Sequence, residues 1–221
     1  MRPDILFVLA AECARVSDVL GALRDDDFTR PTRCPPWDVK QLGAHLWNAL
    51  DRLRTSLAEP SPSEPTADAV TYWRSYDPVA DASSVAARSV EVAARFADGA
   101  ELAGSFDAQW RICVEAARGT DPGRLVRTRV ADLRLDEFAA TRVLEAAVHG
   151  LDLAEALGCD PWITPAAAEV TTVILCSLLG ADRPSGWDDV AFIEIGTGRR
   201  APGARETADL GAGASRLPLL A

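Results

Sequence analysis

Apolar positions recur at helical spacing along most of the chain. Ile5, Leu9, Val16, Leu20 and Leu23 share one face and predict a helix over residues 4–23, with Asp4 as its cap. Leu42, Leu46, Leu50, Leu53 and Leu57 do the same for a helix over 39–57. Asp38 followed by Gln41 resembles a capping box, so this helix starts at Val39. Pro31, Pro35 and Pro36 keep the approach to it extended. Val85, Val92, Phe96, Leu102, Phe106 and Trp110 supply the buried face of helical sequence over 82–118, with a break near Asp98-Gly99 or Gly104-Ser105.

The pattern then changes period. Residues 125–130 alternate like a strand, and Leu133-Arg134-Leu135 can pair with it. Asp136 reads as the cap of a long helix that ends near Leu157-Gly158, with glycine at its C-terminus. Thr164-Pro165 places an N-cap before a proline at the first helical position and opens a helix to about Leu179. The apolar run 190–195 reads as a strand, and Gly196-Thr197-Gly198 as a turn. Residues 59–66 form a polar, proline-rich loop. The aromatics of Thr71–Tyr76 either line a cleft or pack beneath that loop. Gly211 and Gly213 lack a strand–glycine–helix context, which rejects a nucleotide-binding reading.

Composition narrows the class. The 221 residues are 48% hydrophobic and 25% charged, ordinary for a globular chain able to bury a sizeable core. A net charge of −10 argues against nucleic acid and against an anionic membrane surface as partners. The five cysteines are odd in number and contain no CxxC pair, as expected for reduced thiols in a cytoplasmic protein. The first apolar stretch is interrupted by Glu12, Arg15 and Asp18, so it is neither a signal peptide nor a membrane span.

Candidate chemistry concentrates on the long helix. Glu145 and His149 are four residues apart and therefore sit one above the other on a helix face, close enough to close on one ion. Arg142 and Asp152 continue that polar stripe. His45 is the other of the chain's two histidines and lies beside Leu42 and Leu46 at the inward edge of its helix. If it reaches the same point, the site has three protein ligands, and a catalytic zinc keeps a further position open. A solvated helix face, or a hydrogen-bonded core histidine, is the plainer explanation of either motif alone.

Two segments carry a family resemblance. Pro31-Thr-Arg-Cys34-Pro-Pro-Trp37-Asp38-Val39 with Ala44-His45-Leu46, and Arg142-x-x-Glu145-x-x-x-His149-Gly150-x-Asp152-Leu153, resemble the mycothiol-dependent maleylpyruvate isomerase family. Its members are similar to DinB-like metal-binding four-helix bundles. Pro36 stands where glycine is usual, Asp38 where threonine is usual, and Leu151 where an aromatic is frequent.

The resemblance covers most of residues 1–160 and implies a mainly α fold there, a DinB-like antiparallel four-helix bundle; the helix and strand read after 160 add a short α/β region over 161–221. It implies His45, Glu145 and His149 as ligands of zinc or another divalent metal, with mycothiol as cosubstrate. Arg142 is the catalytic candidate, pairing with a substrate or cosubstrate carboxylate, or else forming a structural salt bridge. Asp152 either accepts a hydrogen bond from a metal-bound histidine or serves capping and packing. The expected activity is that of an isomerase or thiol S-transferase on a small electrophile, with the protein a monomer or homodimer. A tailoring enzyme of secondary metabolism and a non-catalytic ligand-binding bundle are the alternatives.

Overall fold

The computed structural model describes residues 4–75 and 78–220. Nine α-helices are present among them: α1 (Ile5–Gly21), α2 (Val39–Ala58), α3 (Ala69–Arg74), α4 (Pro78–Ala93), α5 (Gly99–Arg118), α6 (Leu135–Leu157), α7 (Pro165–Leu179), α8 (Asp189–Gly196) and α9 (Ala204–Leu210). Short 3-10 turns cover Asp25–Thr29 and Gly211–Arg216. A two-stranded antiparallel ribbon, β1 (Leu125–Arg127) and β2 (Asp132–Arg134), precedes α6, with Val126 opposite Leu133. No helix among the described residues is long and apolar enough to cross a membrane.

Four helices form the bundle. α1 packs on α5 and α6, and α2 packs on the same two, so the cyclic order is α1–α5–α2–α6. The α2 stripe predicted by periodicity is the buried one, since Leu42, Leu46, Leu50 and Leu53 are all in the core. Each such leucine contributes roughly 1.5–3 kcal/mol by leaving water. Asp38 caps α2 by accepting from the Gln41 amide at 2.7 Å, and the Gln41 side chain accepts from the Asp38 amide at 3.2 Å. A cap of this kind stabilises a helix by about 1 kcal/mol.

α6 is enclosed rather than amphipathic. The bundle covers one side and α7 the other, so nearly every residue from Leu135 to Ala154 is buried, Arg142, His149 and Asp152 included. Gly150 allows this close approach: a Cβ there would lie 2.7 Å from the Trp162 ring. α7 begins as expected, with Thr164 capping and Pro165 following. Its first turn is tied to α1 through the buried Glu12, whose Oε2 accepts from the Thr164 amide at 3.0 Å. Burial raises the Glu12 carboxyl, and the Thr164 bond only partly offsets this.

Three expectations need correction. Residues 190–195 are not a strand but the body of α8, capped by Asp188. A short apolar run cannot be assigned by periodicity alone, and here Phe192 and Ile193 pack in the core around α7, with Ile195 also buried. The described residues after 160 are therefore helical and irregular, and the two strands lie before α6. Asp136 is not the cap of α6: the cap position is Arg134, and Asp136 lies in the first turn, bound to the Arg134 guanidinium at 3.0 and 2.8 Å. The break expected in 82–118 falls at the first of its two expected places, Asp98-Gly99, where Asp98 caps α5, and α5 runs through Gly104. Tyr76 lies outside the described residues.

Candidate metal centre

α2 and α6 face each other and bring the two histidines together. His45 Nε2 lies 3.2 Å from Glu145 Oε2, and His149 Nε2 lies 3.3 Å from the same oxygen. The three donor atoms all fall within 4.8 Å of one another. The i, i+4 spacing of Glu145 and His149 accounts for half of this geometry. The other half is the placement of α2 against α6, which puts His45 over Glu145 across 100 residues of sequence.

Each imidazole has its orientation fixed from behind. His149 Nδ1 lies 2.8 Å from Asp152 Oδ2. A carboxylate accepts, so Nδ1 carries a proton; in the metal-free imidazolium Nε2 donates to Glu145, and loss of that second proton frees the Nε2 lone pair for an ion. His45 Nδ1 lies 3.4 Å from Ser89 Oγ on α4. That hydroxyl donates to the Val85 carbonyl at 3.0 Å and keeps its lone pairs for a proton on His45 Nδ1, the tautomer an ion at Nε2 requires. Trp37 stacks on the His45 ring at 4.7 Å. It is delivered by the 31–38 loop, which Thr32 closes through bonds to the Trp37 carbonyl.

Arg142 is 4% exposed and holds the far side of Glu145, with Nη2 3.6 Å from Oε1. Its guanidinium also donates to Thr141 Oγ1 and to the Tyr72 hydroxyl, and lies 4.9 Å above the Phe138 ring. Glu145 thus divides its oxygens, one toward Arg142 and one toward both histidines. Burial alone raises its carboxyl, but His149, His45 and Arg142 outweigh burial and hold it well below the usual range. The two histidines move in opposite directions. Burial lowers His45 despite its bond to Glu145. For His149 burial acts the same way, yet Asp152, Cys34 and Glu145 outweigh it and hold the imidazolium well above its ordinary value.

Asp152 is the hub of a second cluster. It accepts from Arg33 Nε at 2.7 Å, from Arg199 Nε and Nη2 at 3.2 and 3.1 Å, and from the Cys34 thiol at 3.1 Å. Arg33 continues to Glu194 on α8 at 2.7 Å. Burial raises the Asp152 carboxyl, and the opposing His149 and Arg199 charges hold it far below the carboxylate range. Cys34, His149 and Asp152 also converge closely enough to hold an ion. Two guanidiniums already neutralise Asp152, however, and they oppose a further cation there. The Nε2 side, where one carboxylate oxygen faces two imidazoles, is the better cation site by its donor set.

The centre opens onto a cavity of about 620 Å³ lined by α2, α4, the 128–130 loop and the 218–220 segment, with Tyr72 and Trp73 on its wall. Ser89, Arg33, Glu194 and Arg199 are absent from the sequence-based site. None lies at helical spacing from a histidine, so periodicity gives no signal for them.

Fold and centre together define a DinB-like helical bundle with a candidate metal-ligand set between two facing helices. The chain belongs to the family described as the mycothiol maleylpyruvate isomerase N-terminal domain, whose sequence profile matches residues 9–154. Comparison with curated proteins and with solved structures returns no match. Glu194, Arg199 and the 218–220 wall lie beyond the matched segment.

Proposed function

We propose that the protein is a metal- and mycothiol-dependent enzyme, an isomerase or S-transferase acting on a small electrophile. The observation that carries this reading is the convergence of His45 Nε2, Glu145 Oε2 and His149 Nε2 at the floor of a cavity. Those three residues would hold the ion, and the nitrogen and oxygen donors suit zinc. When bound, such an ion lowers the pKa of a thiol in its open position, supplying a thiolate nucleophile at neutral pH.

The chain's own residues supply the rest. With the ion in place, Asp152 and Ser89 would accept from the Nδ1 protons, so that both Nε2 atoms ligate. Arg142 acts here as a positioning residue, fixing Glu145 Oε1 so that Oε2 faces inward. Trp37 and Val148 wall the cavity beside the histidines and keep bulk water from that side. Membership of the mycothiol family supports the thiol as cosubstrate.

Calorimetric titration of mycothiol into zinc-loaded and metal-stripped protein tests this reading. Binding to the loaded protein and none to the stripped protein is the expected result. Equal binding to both, or no binding to either, would remove the thiol from the reading.

A further inference from the structure

We propose that Asn48 and Arg52 form a carboxylate-binding subsite that selects the electrophile, which adds a substrate class to the metal–thiol reading on which it rests. His45, Asn48 and Arg52 follow one another on α2 at i, i+3 and i+7, so they share one face, and all three line the cavity. Ala49, between them, leaves room above the helix.

The cavity is cationic in a chain whose net charge is −10. Arg52, Arg74, Arg88, Arg129, Arg142 and Arg199 line it against one carboxylate, Glu145. Several of these cations are already matched: Arg142 by Glu145, Arg199 by Asp152, and Arg129 by Asp81 at 2.9 Å. Arg52 differs. Among the described residues its guanidinium has no acceptor and no carboxylate partner, and the Asn48 amide has no hydrogen bond. The adjacent Asp51 is taken by Arg54 at 2.7 Å and by Gln109 at 2.7 Å. A half-buried guanidinium beside an unpartnered amide offers a planar fork and an N–H donor to one carboxylate.

Spacing sets the length of the ligand. Seven residues of helix separate Arg52 from His45, a rise on the order of 10 Å. The matching electrophile is an extended one, with its reactive carbon at the metal centre and its carboxylate about that distance away.

Straight-chain mercaptoalkanoic acids reproduce the sulfur-to-carboxylate span of such an adduct, and mercaptoalkanols of equal length are their neutral controls. Binding to the cobalt(II)-substituted protein is read from the thiolate-to-cobalt charge-transfer band. The expected result is a preferred chain length at which the acid binds about ten- to a hundredfold tighter than the alcohol, the range of charge-assisted hydrogen bonds. This preference disappears in Arg52→Met and persists in Arg54→Gln, whose guanidinium serves Asp51. A thiolate band with no preference for the acid, or a preference that survives Arg52→Met, overturns the subsite and leaves the metal–thiol reading intact. Absence of the band with every thiol overturns that reading and the subsite with it.

Discussion

Asp152 accepts a 2.8 Å hydrogen bond from His149 Nδ1, and the same carboxylate binds Arg33 and Arg199. One buried anion therefore orients a candidate metal ligand and ties the α8 region to the bundle. Asp152→Asn keeps the size and removes the charge. Two guanidiniums then lose their anion in a buried setting, and the imidazole loses its fixed proton. Metal affinity should fall about 10- to 100-fold, and the protein should lose about 3 kcal/mol of stability. Chelator competition and urea unfolding measure the two effects separately.

Ser89→Ala removes the acceptor behind His45. The bond is neutral and 3.4 Å long, so the effect is smaller. Metal affinity should fall about two- to tenfold, the range of a single neutral hydrogen bond. A loss as large as that of Asp152→Asn would show that Ser89 has a greater part than orientation.

The His149 shift gives the metal-free protein a particular pH dependence. Its imidazolium is favoured by folding, so the stability it adds is complete below the ordinary histidine value of 6.5 and is lost as pH rises through the raised folded value. His45, lowered by burial, works the other way and trims this effect. Metal binding needs both imidazoles neutral at Nε2, so affinity rises with pH over the same window. Thermal unfolding of stripped protein should show decreasing stability above neutrality, and the metal-loaded protein should not. Equal profiles for the two forms would contradict a shared proton and metal site.

Gly150→Ala tests the packing that presents the site. The new methyl would sit 2.7 Å from the Trp162 ring, between His149 and Leu151 on α6. The ring or the helix must move, which costs about 1–3 kcal/mol. A matching fall in the urea midpoint is expected, and an unchanged midpoint would mean that Trp162 can move without strain.

Much of the centre was legible because its signals are local. Glu145 and His149 follow from i, i+4 spacing, and the Asp38–Gln41 capping box fixed the start of α2 and hence the phase of His45. With two histidines in the chain, few sites could use both. The supporting groups were not legible. Ser89 meets His45 across 44 residues, and Arg199 meets Asp152 across 47. Such pairings are made by tertiary packing and leave no period in the sequence. The 190–195 segment failed for a different reason: six apolar-rich residues suit a buried strand or a buried helix turn equally, and packing against α7 decides between them.

The central claim is that His45, Glu145 and His149 hold one divalent ion. Elemental mass spectrometry of the purified protein, alongside His45→Ala, tests it most directly. The account predicts about one zinc or similar ion per chain in the wild type, lost in the variant while the helical circular dichroism is retained. A wild-type protein that takes up no metal even when zinc is supplied, or a His45→Ala variant that keeps its full content, would contradict it.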